Sequence, residues 1–367
     1  MIIQTSFNST FLLPLYILQD SRSLQFPHLL ILIFDILLHF LAFYYVIKCI
    51  YIVWSIRTFH KNLTILVVIF GAQWFEAVTG NVLMKPYEVG KVSIGNGSIM
   101  GPIKQFFTVD PSGLIVLDPI NRYIPLLIGG FLRFHFIFSM TTVVLGIAME
   151  RAFACWFLVD YEKKQRNFIW IFIFLSCQSY NLLVSSLFFF HFFHFYWFIL
   201  FSVLPNVLGC LLLNISRLYN LRVTKTLENF SNPDNYNLAA RFQAKENFRC
   251  FQMITTVINV GMGLMVFTSV LTTIIYFNWF PDWDTLLNFL FQGLFSAIGP
   301  LVICPCILNS VESWRNCELL SNPLYTMVLK RRRERKVAMA NNKYNDRNET
   351  IKKDTDTHFD QLKSSWN

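Results

Sequence analysis

Seven runs of about 20 or more mostly apolar residues constrain this chain more than any other feature. They cover residues 29–54, 63–84, 123–149, 168–190, 195–214, 251–277 and 285–310. Each is too long for a buried strand. In hydrocarbon every backbone amide must bond within its own segment, so each run is expected to be a helix. The fourth and fifth runs are nearly continuous. They are divided at His191-Phe192-Phe193-His194, because together they are about twice the length of one span. The expected fold is an all-α membrane protein, a bundle of seven transmembrane helices.

Charge supports this assignment and orients it. Only 14% of the 367 residues are charged, against about 25% in soluble domains. Of the 31 Lys and Arg, 24 lie in 55–62, 150–167, 215–250 and the tail from 311. Five lie on the other side: Arg22, Lys85, Lys91, Lys104 and Arg122. The basic side faces the cytosol, so the N-terminus is expected outside and the C-terminus in the cytosol. The organisation is then an extracellular N-tail (1–28), a membrane domain (29–310) and a basic cytosolic tail (311–367), disordered from about 330. No basic n-region precedes the short apolar stretch 11–18, so the first span reads as an uncleaved signal anchor. The loop 85–122, rich in Gly and Pro, is expected to fold as a small lid.

Modification signals are sparse. Sequons at Asn8 and Asn96 fall on the expected outside and are candidate glycosylation sites. The same tripeptide at Asn62, Asn214, Asn229 and Asn348 falls on the cytosolic side, so the pattern does not decide topology. None of the eight cysteines lies in an outer loop and no CxxC spacing occurs, so neither a disulfide framework nor a metal site is expected. Cys317 is a palmitoylation candidate on a short surface helix. The basic run 330–336 is suited to anionic inner-leaflet lipid. His191 and His194 fit an interfacial aromatic belt.

Ionisable groups inside the spans are costly and normally face the bundle interior with a partner. Asp35 and His39 share a face of the first helix. Gln73 and Glu76 lie in the second span, Arg133 and His135 in the third. From the helical rise, Asp35 is roughly 10 Å below the outer edge, and Glu76 and Arg133 roughly 12–15 Å. Arg133 is therefore expected to pair with Glu76 or Asp35, either for bundle stability or in a ligand cavity.

At the other end of the third span, Glu150-Arg151 is followed by Asp160-Tyr161-Glu162-Lys163-Lys164. An adjacent acid and arginine can form a local pair that acts as a two-state latch, the arginine held by its carboxylate rather than reaching a neighbouring helix. It can equally be an ordinary interfacial pair among basic residues.

Seven spans with Glu150-Arg151 closing the third resemble a G-protein-coupled receptor. More narrowly, Glu-Arg-x-x-Ala followed by Asp-Tyr-Glu-Lys-Lys is similar to the nematode chemoreceptors called serpentine receptor class epsilon. That resemblance implies a chemosensory receptor in the plasma membrane of sensory neurons. It would bind a small chemical in an outer-half cavity formed mainly by spans three, five, six and seven. Its cytosolic face, with Glu150, Arg151, Asp160, Tyr161, Glu162 and the 217–249 loop, would engage a heterotrimeric G protein. Several features depart from rhodopsin-like receptors. The outer disulfide is missing and Ala152 follows the pair. Gly299-Pro300 and Cys304-Pro305 break the seventh span, while Asn322-Pro323-Leu324-Tyr325 lies beyond it. No cofactor is implied and no catalytic motif is discernible, so an enzyme is not expected. The competing class is a ligand-gated channel or transporter, which would need a continuous polar stripe across the membrane.

Overall fold

The computed structural model describes residues 1–5, 9–15, 17–94, 103–104, 115–158, 161, 166–193, 195–228, 238–277 and 279–320. Among these described residues, seven helical segments are long and apolar enough to cross a bilayer: His28–Ser55, Lys61–Glu88, Ile120–Trp156, Asn167–Phe189, Trp197–Thr226, Gln243–Ile275 and Thr285–Ser310. Two of these segments are broken. The second consists of α2 (Lys61–Ala72) and α3 (Trp74–Glu88), which meet at Gln73. The seventh consists of α8 (Asp284–Gly293), a π-helical turn (Leu294–Ile298) and α9 (Gly299–Ser310). The breaks are stitched together: the Trp74 indole N–H donates to the Ser296 carbonyl at 2.7 Å. The other spans are α1 (His28–Ser55), α4 (Ile124–Trp156), α5 (Asn167–Phe189), α6 (Phe195–Glu228) and α7 (Leu238–Tyr276). Between α5 and α6 the chain turns at His191, which adopts a φ of 56°.

Helix α4 is central, packed against α2, α3, α5, α6 and α7. Apolar attraction between helices is weak in lipid, and close backbone approach over small residues replaces it. A Cβ on Gly209 of α6 would lie 2.7 Å from the Leu145 nitrogen, and one on Gly129 would lie 2.9 Å from the Gly80 carbonyl. The outer faces carry exposed Leu, Ile and Phe, such as Leu37 and Phe40 on α1 and Leu183 on α5, as lipid contact requires.

The N-tail is a packed element. Strand β1 (Ile2–Thr5) pairs antiparallel with β2 (Thr10–Leu12) and parallel with β5 (Ile115–Leu117). A second ladder joins β3 (Ile17–Leu18) to β4 (Ile103–Lys104). The described parts of the N-tail and of the 85–122 loop therefore build a cap together. Ile3, Leu12, Leu13 and Leu15 bury against Tyr123, Leu126, Phe134 and Phe188, and Leu13 fills the space that a Gly130 side chain would take. This end of the bundle is called the sheet end below.

A separate unit begins at Glu312, and its described helix α10 (Glu312–Leu320) carries Cys317 as a half-buried free thiol. Asn8, Asn96, Asp160, Glu162, His194 and the basic run 330–336 lie outside the described residues.

Candidate functional site

Two buried polar clusters occupy opposite ends of α4. At the sheet end, the close crossing over Gly80 and Gly129 lets the Arg133 side chain lie across α3: its Cγ would be 3.1 Å from a Gly80 Cβ. Arg133 Nε donates to Asn81 Oδ1 at 2.6 Å, and Nη2 donates to Glu88 Oε1 at 3.0 Å and to Gln292 Oε1 at 3.4 Å. Lys85 Nζ lies 3.7 Å from Glu88 Oε2 and 3.1 Å from Asp35 Oδ2. Asp35 in turn meets His39 Nδ1 at 3.2 Å, while His39 Nε2 lies 2.9 Å from Ser296 Oγ. Three spans are thus connected through charge, and the seventh joins them through the neutral Gln292 and Ser296.

These partners differ from those expected. Arg133 pairs with Glu88, not with Glu76 or Asp35. Glu76 pairs with His135, at 2.6 Å. The reason is local. Helix α3 runs on through Pro86 to Glu88, so an acid placed beyond the span end at Met84 enters the bundle. The long Arg133 side chain reaches it across the close crossing at Gly80. Lys85, assigned to the outer loop, becomes the partner of Asp35. The i, i+3 spacing of Lys85 and Glu88 at a span end was the available signal.

A cavity of about 30 Å³ adjoins Arg133, bounded by Pro14, Asn81, Phe136, Phe291, Gln292 and Ser296 among others. A second, of about 40 Å³, lies beside Asp35, Lys85 and Glu88 and extends to Asp20 and Thr285. Burial alone would raise the Asp20 carboxyl, but Arg22 at 2.7 Å and the Thr285 hydroxyl at 2.9 Å hold it below the usual carboxylate range. Among the described residues no group of three His, Cys, Asp or Glu is placed to hold a metal.

The opposite cluster is drier. Glu150 and Arg151 are both 0% exposed. Arg151 Nε and Nη2 donate to the two Glu150 oxygens at 2.6 and 2.7 Å, a bidentate pair between adjacent residues. Arg151 also reaches a neighbouring helix, contrary to expectation: Nη1 donates to Asn247 Oδ1 of α7 at 3.1 Å. The Tyr161 hydroxyl donates to Glu150 Oε1 at 2.7 Å and accepts from Asn62 Nδ2 at 3.2 Å. Asn247 Nδ2 donates to Asn220 Oδ1 of α6 at 3.3 Å. The His60 backbone N–H donates to Glu246 at 3.1 Å, and its ring packs on Tyr161 at 4.2 Å. Burial and the neighbouring Glu150 push the Tyr161 hydroxyl far above its ordinary range. Burial holds the His60 imidazole below its ordinary value, Glu150 opposing in part. Glu150, Arg151 and Tyr161 therefore meet as one cluster. Asn62, Asn220, Asn247 and His60 were missed, because an Asn within a helix carries no sequence signal of its partner.

The family model described as Sre G protein-coupled chemoreceptor matches residues 1–367. The chain belongs to the Sre family of G protein-coupled chemoreceptors. Among similar proteins, the Sre chain is 37% identical to Serpentine receptor class epsilon-45 of Caenorhabditis elegans, over 98% of this chain and 97% of that protein. It is 26% identical to Serpentine receptor class epsilon-38 and 29% to Serpentine receptor class epsilon-31 of the same organism, each over the full length of both chains. No solved structure matches. An Sre chain with seven apolar helices is a multi-pass membrane receptor, and its similar proteins are named as receptors rather than enzymes.

Proposed function

We propose that this chain is a chemosensory receptor of the plasma membrane, its N-terminus outside. It binds a small chemical at the sheet end, near Arg133, Asp35 and Glu76, and signals to a heterotrimeric G protein through the Glu150–Arg151–Tyr161 cluster. The observation that carries this is the position of both clusters on the single unbroken helix α4. Arg133 and Arg151 are 18 residues apart, or about 27 Å at 1.5 Å per residue. Buried charges at both ends must keep partners in any packing the bundle adopts, so the helix has discrete states rather than a continuum. A ligand favours one state by its differential affinity. Freeing Arg151 from Glu150 at the far end would offer a cationic donor to the G protein, in a chain segment that also carries Tyr161 and, in sequence, Asp160 and Glu162. The Lys and Arg asymmetry supports the orientation, which puts Asn8 and Asn96 where glycans attach and Cys317 where cytosolic acylation occurs.

The test is G-protein activation in cells expressing the intact chain, beside Arg151→Ala at matched surface level, under a panel of volatile and soluble chemicals. A response abolished in Arg151→Ala is expected. A ligand-evoked response that survives Arg151→Ala removes the coupling role. Ligand-gated conductance of the purified protein in a bilayer would replace the receptor reading by that of a channel.

A further inference from the structure

The cavity beside Arg133 specifies a ligand chemistry. Its polar lining is almost fully committed. Asn81 Oδ1 accepts from Arg133 Nε, and Asn81 Nδ2 lies 3.3 Å from His39. Gln292 Oε1 accepts from Arg133 Nη2, and Gln292 Nε2 donates to Asn288 at 3.0 Å. Ser296 Oγ donates to the Gln292 carbonyl at 2.8 Å. Among the described residues lining this cavity, the one buried side-chain polar atom without a partner is Arg133 Nη1, on a residue only 7% exposed. An orphaned buried donor costs its full desolvation, so the site asks for an acceptor.

Charge narrows the class. Arg133 is already balanced by Glu88 at 3.0 Å, and Lys85 by Asp35. A carboxylate ligand would add an uncompensated charge in a low-dielectric site. An amine would set a second cation beside the guanidinium in the same low-dielectric site. Phe136, Ile137 and Phe291 offer apolar walls.

We infer that this site takes a small neutral molecule with one acceptor oxygen, of the ketone, aldehyde or ester kind, its oxygen on Arg133 Nη1 and its hydrocarbon against Phe136 and Phe291. At about 30 Å³ the cavity holds a group the size of a carbonyl oxygen. The ligand's body therefore takes the place of Pro14, the lining residue that lies outside the helices. This rests on reading the chain as a chemoreceptor.

The experiment uses the full chain in lipid nanodiscs with three series of equal alkyl length: methyl ketones, carboxylates and primary amines. Thermal stabilisation is read for each, with G-protein activation measured separately in cells. Ketones are expected to stabilise the protein and the other two series not. In Arg133→Met/Glu88→Gln, which removes both charges together, ketone affinity is expected to fall about ten- to a hundredfold, as loss of one hydrogen bond to a charged group implies. Selectivity among the three series decides the matter even where the variant does not fold. Stabilisation by acids or amines instead, ketone affinity unchanged in a folded double variant, or no stabilisation by any series overturns the inference. In each of those cases, Arg151-dependent activation by some other chemical leaves the receptor reading intact.

Discussion

Replacing Glu150 by Gln tests the latch directly. In the wild type, Glu150 accepts two charge-assisted bonds from Arg151, at 2.6 and 2.7 Å, and one from Tyr161 at 2.7 Å. A Gln side chain keeps one carbonyl oxygen and turns an N–H₂ toward donors that it cannot satisfy. At least one charge-assisted bond is lost, worth about 1.5–3 kcal/mol. Arg151, buried and retaining only Asn247 Oδ1 for Nη1, is then less well held. If the cluster is a latch, that energy comes off the latched packing alone, and the equilibrium moves toward release by roughly 10- to 150-fold. The assay is ligand-free G-protein turnover at matched surface level, with melting of the purified protein in parallel. Tyr161→Phe supplies a graded control. It removes the bond donated to Glu150 and the one accepted from Asn62, leaves the Glu150–Arg151 pair in place, and should shift turnover in the same direction by a smaller factor, about fivefold for about 1 kcal/mol. Lower melting with unchanged turnover in both variants would refute the latch and leave a purely structural pair. An unchanged melting temperature would refute the hydrogen-bond accounting itself.

Three further substitutions test the geometry. His60 caps α2, its Nδ1 accepting the Asn62 N–H at 3.3 Å, and its folded pKa lies below the ordinary value of 6.5. The unfolded chain therefore takes up the proton first, so the cap's contribution is present above about pH 6.5 and is lost as pH falls through the folded value. Glu246, Glu150, Arg151 and Lys61 surround it, and His60→Asn, which caps without titrating, should flatten the melting-versus-pH curve between neutral and mildly acidic pH. Gly209→Ala should destabilise by about 1–3 kcal/mol, because its new methyl would stand 2.7 Å from the Leu145 backbone nitrogen, which cannot swing aside. Gly261→Ala, with nothing within 4 Å of its Cβ, should be neutral or stabilising by up to about 1 kcal/mol. Equal melting shifts for the two glycines would show that α4 and α6 do not touch as described.

The number of spans, their helical character and the family were all set by the sequence itself. Hydropathy is a local sum, and Glu150-Arg151 and Asp160 to Lys164 are two short strings only eight residues apart, so neither needs a fold to be read. The adjacency of Glu150 and Arg151 likewise made their pairing local. What the sequence could not supply was any relation across helices. Asp35, Glu76 and Arg133 were recognisable as intramembrane charges, but their partners depend on helix rotation, tilt and the extension of α3 through Pro86, none of which hydropathy encodes. Asn62, Asn220 and Asn247 were silent for the same reason: an amide in a helix looks alike whether it faces lipid or a guanidinium. The N-terminal strands were hidden most deeply. Ile2–Thr5 is too short to signal a strand, and its partner Ile115–Leu117 lies more than a hundred residues away. Only the bundle, by bringing the start of α4 beneath the N-tail, gives those few residues a surface on which to pair.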